Sequence, residues 1–168
     1  MGDPLLLEHL KQPEYLHVAL NHWPLEGLGA GAFFLAYALM AKSLGGRRGA
    51  LLWLALMGVV AWITVLTGHQ GYDRVYAISN PDAQAWLDVH NERAELFQWL
   101  FYLMGLSALG ALVSSRKRPA WEKPLAVVSL ALASLSLAAG IWIAQAGGQI
   151  RHSEFREGPP PVAAPHQR

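Results

Sequence analysis

Four runs of apolar residues divide the chain, separated by polar connectors: about residues 20–41, 50–67, 96–113 and 125–146. A hydrocarbon core about 30 Å thick takes roughly 20 residues of helix to cross. Each run therefore predicts a transmembrane helix, and the fold class read from the pattern is an all-α integral membrane protein. In a soluble chain, helices this apolar would need burial on every side, and too few polar residues remain to cover them. The connectors at 42–49 and 114–124 are short, which favours an up-down-up-down four-helix bundle. The organisation expected is an N-terminal outer segment (1–15), a four-helix transmembrane domain (16–156) and a flexible proline-rich tail (157–168).

Charge orients this arrangement. The net charge of +1 says little, but "KSLGGRRG" and "SSRKRPAWEKP" together hold seven of the 13 Lys and Arg and one of the 12 acidic residues. Short cytoplasmic loops carry such an excess. Both termini and the 68–95 segment are then expected outside, and the predicted location is the bacterial inner membrane. The basic residues cluster in short loops and form no stripe, so nucleic acid is not an expected partner. Cysteine is absent, which excludes disulfides, cysteine-held iron–sulfur clusters, thiol catalysis and covalent c-type haem. "MGDPLLLEHLKQPEYLH" lacks the layout of a cleavable signal, and "MGDPLL" lacks a myristoylation serine or threonine.

Polar chemistry gathers at the outer end. Asn80 before Pro81 predicts a helix start, running through "DAQAWLDVHNERAE" into the third span. "TGHQGYD" and "AGGQIRH" close the second and fourth spans in a loosely similar way, without forming a repeat. Tyr72, Asp73, Arg74 and Tyr76 read as a solvated loop, with a salt-linked lid as the alternative. Gly27, Gly29 and Gly31, and Gly105 and Gly110, allow close helix approach. All seven histidines (9, 17, 22, 69, 90, 152 and 166) fall on the outer side. His22 opens the first span, His69 ends the second, His90 precedes the third, and His152 lies about a turn beyond the fourth.

Facing histidines on bundle helices are the usual ligands of haem b. The first pair expected is His22 with His90, and His69 with His152 is the alternative or second pair. Arg93 either neutralises a haem propionate or pairs with Asp88 or Glu92. Other ligands suit the same cluster. A transition metal would take His22, Glu26, His90 and Glu92 or Glu95, and a quinone head group would accept hydrogen bonds from histidine and glutamine. The plain alternative is a polar network that ties helix ends together.

"LHVALNHWPLEG", "TGHQGYD" and "DVHNERAE" resemble landmarks of a bacterial family of small four-helix membrane proteins of unknown function. The resemblance covers roughly residues 15–115. It implies an outward polar site, haem- or metal-binding and redox-linked, with His22 and His90 as ligands. The third landmark reads HNERAE where more acidity is expected, which weakens a carboxylate–metal reading more than a haem one. The function expected is a b-type cytochrome-like electron-transfer protein, or a subunit of a redox complex, rather than an enzyme. It would bind one haem, or two if both pairs are used, and exchange electrons with a periplasmic carrier or a quinone. A cofactor-free accessory subunit of a larger membrane complex is the alternative.

Overall fold

The computed structural model describes residues 8–156 and Gly158; the tail expected to be flexible lies, apart from Gly158, outside them. Among the described residues there are five helices, a closing 3-10 turn and no strand. The helices are α1 (Pro13–Leu20), α2 (His22–Met40), α3 (Leu44–Ile78), α4 (Pro81–Lys117) and α5 (Pro119–Arg151), and the turn is Ser153–Phe155.

This corrects the four-helix bundle expected from the sequence. Three helices, α3, α4 and α5, are long and apolar enough to cross a membrane. The first apolar run is not a fourth of that kind. It yields α2, only 19 residues long, with His22, Pro24 and Glu26 in its opening turns. These residues and three glycines dilute its apolar content. Pro24 also explains why α1 and α2 are separate. It has no N–H to give the Leu20 carbonyl, and its ring crowds that carbonyl, so the helix breaks at Asn21. The two pieces then lie in succession along α3. Glu14 and His17 of α1 meet Gly71 and Gly68, while Gly27 and Gly31 of α2 meet Met57 and Leu54.

The spanning helices exceed the membrane. α3, α4 and α5 have 35, 37 and 33 residues, each about 50 Å of helix at 1.5 Å per residue, against a core of about 30 Å. The surplus stands mainly at the histidine end. Residues 68–78, among them Tyr72, Asp73, Arg74 and Tyr76, continue α3 as helix and are not the solvated loop expected. Across the turn, the Asn80 side chain accepts the Ala83 N–H at 2.9 Å and Pro81 opens α4.

The core runs between the helices as small and medium apolar side chains. Leu28, Leu35, Leu51, Leu54, Met57 and Met104 are fully enclosed. On α5 the buried positions Ala126, Ser129, Ala133 and Ser136 recur at three- and four-residue steps, the spacing of one helix face. That small-residue seam lets α5 pack most extensively on α4, where the Ser107 and Ser129 hydroxyls meet at 3.0 Å. Between α3 and α4, a Cβ on Gly58 would lie 2.8 Å from the Gly105 Cα, so these two backbones touch. Outward, large apolar side chains such as Phe33, Leu52, Trp62, Leu103 and Leu106 are exposed, as suits a surface solvated by lipid.

Candidate functional site

The two ends of the helix assembly differ in their polar contacts. At one end, where α3 and α5 begin, Arg47 grips Glu122 through Nε–Oε1 (2.9 Å) and Nη2–Oε2 (3.0 Å). The opposite end carries the histidines.

Two of these turn inward. His17 comes from α1 and its Nδ1 lies 2.8 Å from the Thr64 carbonyl of α3. His90 comes from α4 and its Nδ1 lies 3.0 Å from the Ile143 carbonyl of α5. A carbonyl oxygen only accepts, so in the neutral rings each Nδ1 carries the proton and each Nε2 keeps its lone pair. Among the described residues neither Nε2 has a hydrogen-bond partner. The rings meet edge to face, with centres 6.2 Å apart and planes at 82°.

The two half-sites are built alike. Four residues after each accepting carbonyl stands a glycine against the imidazole. A Cβ on Gly68 would come within 2.9 Å of the His17 Nδ1, and one on Gly147 within 3.1 Å of the His90 Nδ1. These are the glycines of "TGHQGYD" and "AGGQIRH", and the likeness of the two stretches is a likeness of histidine seats. Burial lowers the basicity of His17, and the nearby His69 adds to this against the opposing Thr64 bond. α1 is held in place by Arg74 Nη1 on Glu14 Oε1 at 2.7 Å and by Gly71, which admits the Glu14 backbone.

The other expected ligands are placed differently. His22 is exposed at the start of α2, its Nδ1 on the Asn21 side-chain oxygen. His69 is exposed, with Nε2 3.7 Å from Glu95 Oε1, and the Asn91 side chain donates to that same oxygen. His152 is exposed, bonded to Glu154 at 3.0 Å and stacked on Phe155. The structure brings His90 together with His17, not with His22, and gives no contact between His69 and His152. His17 is the residue the sequence reading did not single out. Its signals were indirect: the Gly68 and Gly71 notch on α3, and the recurrence of glycine four residues after Thr64 and after Ile143.

Arg93 pairs with neither Asp88 nor Glu92. Its Nη1 donates to the Trp142 carbonyl and the Gln145 Oε1, both at 2.7 Å. Asp88, itself buried, accepts from the Tyr72 hydroxyl and so joins α3 to α4. Among the described residues no group of three or more His, Asp or Glu side chains converges to hold a metal ion. Comparison with protein-family models, curated proteins and solved structures finds no match, so the functional argument rests on this geometry.

Proposed function

We propose that the protein is a membrane-embedded, b-type cytochrome-like electron-transfer protein or redox-complex subunit, with His17 and His90 as the axial ligands of one haem b. One observation carries the reading: two inward imidazoles on different helices, each aimed by a carbonyl at Nδ1, with an open Nε2 and ring centres 6.2 Å apart. His17 and His90, with ring centres 6.2 Å apart, are the residues that would hold the haem iron, through their unbonded nitrogens. Carbonyl bonds to the far nitrogen are the usual way ligand histidines are oriented. Gly68 and Gly147 let the two rings lie directly against α3 and α5. A bare ion needs more protein donors than two imidazoles, whereas a tetrapyrrole brings four of its own and takes two axial nitrogens. A haem held there would supply one-electron chemistry, and the chain would supply its ligation.

With the basic connectors on the cytoplasmic side, the histidine end faces outward from a bacterial inner membrane. A periplasmic carrier or a membrane quinone is then within reach as redox partner.

A visible spectrum of the detergent-purified protein, oxidised and dithionite-reduced, tests this beside His17→Ala and His90→Ala. A Soret band with sharp reduced α and β bands, lost in either variant, is expected. Bands lost in His22→Ala but kept in His17→Ala would return the ligand role to His22. A folded, colourless protein made with ample haem would overturn the reading.

A further inference from the structure

Arg93 stands three residues after His90 on α4, one turn along the same side. Its guanidinium is held on one side only. Nη1 gives its bonds to the Trp142 carbonyl and the Gln145 amide oxygen, and the guanidinium carbon lies 4.1 Å above the Trp142 ring centre. Phe97 braces that ring edge-on, with centres 5.6 Å apart. Three contacts thus fix the plane of the guanidinium, and none of them carries a negative charge.

An arginine has five N–H donors. Two are used at Nη1, which leaves Nε–H and the Nη2 pair without a partner among the described residues. That remaining edge is the one that grips a carboxylate or phosphate through two parallel bonds. The location is equally specific. Trp142 immediately precedes Ile143, whose carbonyl aims His90, so one turn of α5 fixes both the imidazole and the guanidinium.

We infer that Arg93 is a carboxylate seat for a haem propionate, which turns the acidic edge of the tetrapyrrole toward the groove between α4 and α5. The inference rests on the haem reading above. It adds an orientation, because the ligand pair leaves the haem free to rotate about its axis and Arg93 selects one rotation. Trp142 and Gln145 are positioning residues that act through the guanidinium.

The test compares haem b with its dimethyl ester, which keeps the iron and ring but has no carboxylate. Detergent-purified protein freed of haem is titrated with each, and uptake is followed at the Soret band. Wild-type protein holds haem about tenfold more tightly than the ester, the size of one partly exposed charge-assisted pair. Arg93→Gln binds the two alike, and Arg93→Lys retains part of the preference. Equal affinity of wild-type protein for haem and ester would overturn the seat, as would a preference that survives in Arg93→Gln. The wild-type comparison needs no variant to fold. Protein that takes up neither tetrapyrrole would overturn the haem reading itself, an outcome distinct from equal uptake of both.

Discussion

The Arg47–Glu122 end and the histidine end are both polar ends of the same helices, but they satisfy their polar groups differently. At the first, Glu122 is 4% exposed and both its oxygens are taken by one guanidinium. Donors and acceptors there answer one another within the chain. At the second, each inward imidazole is bonded at one nitrogen and open at the other, and Arg93 is bonded only to neutral groups. The buried Oε1 of Gln149 and Nε1 of Trp86 also lack partners among the described residues. The first end is closed in its bonding, whereas the second is left half open among the described residues. The contrast sets a structural ion pair against the candidate site.

Four measurements would break or sharpen that contrast. The largest effect is expected from Glu122→Ala, which leaves the half-buried Arg47 charge without its carboxylate. Stability in detergent should fall by about 3–5 kcal/mol, with the visible spectrum of surviving protein unchanged. A loss below about 1 kcal/mol would make the pair no stronger than a surface contact.

Gly71→Ala comes next. Its new Cβ would sit 2.8 Å from the Glu14 backbone, so α1 must shift, at about 1–3 kcal/mol. If His17 holds a haem as proposed, haem affinity falls too, because α1 carries His17. A destabilised variant that binds haem as before would show that α1 is not the carrier.

The third effect is a pH dependence confined to the histidine end. His17 lies on α1, outside the spanning helices, and burial lowers its pKa from the ordinary 6.5. Above about pH 6.5 it is neutral in both folded and unfolded chains and adds no slope. Below that, the unfolded chain takes up the proton first, so haem-free protein loses stability until folded His17 is also protonated. In His17→Gln this part of the slope should vanish. A slope unchanged in the variant would assign it to other groups.

The smallest effect belongs to the opposite end. Lys42 closes α2 in the left-handed region, at φ 52°, with Ser43 N–H reaching the Ala38 carbonyl at 3.0 Å. This is a helix end that glycine fits without strain. Lys42→Gly should gain up to about 1 kcal/mol and leave haem binding alone.

The long apolar helices were legible because lipid imposes a crude rule, a run of apolar residues of sufficient length, and α3, α4 and α5 obey it. The start of α4 was legible because Asn80 and Pro81 form a local signal that needs no tertiary information. The first run misled because its length sufficed but its composition did not: α2 reaches 19 residues, and His22, Pro24, Glu26 and three glycines dilute its apolar content. His90 was found from its place before a span. His17 was not, because its inward turn depends on α1 docking into a notch opened by Gly68 and Gly71, about fifty residues further along. His22 looked better placed, at the mouth of an apolar run, yet the break at Asn21 leaves it exposed beside the asparagine side chain. Contacts between distant residues are what a periodicity argument omits, and the histidine pair consists of such contacts.

The shortness of α1 has a consequence for how the histidine pair forms. Eight residues form too short a helix to persist alone in water, so α1 acquires its shape only on the surface of α3. His17 precedes its own seat in the chain: that seat is not complete until Gly68 follows, and its partner's seat waits for Ile143 and Gly147. α1 has to dock on α3 before the two imidazoles can stand opposite each other, so the pair belongs to the folded assembly and to no single segment of the chain.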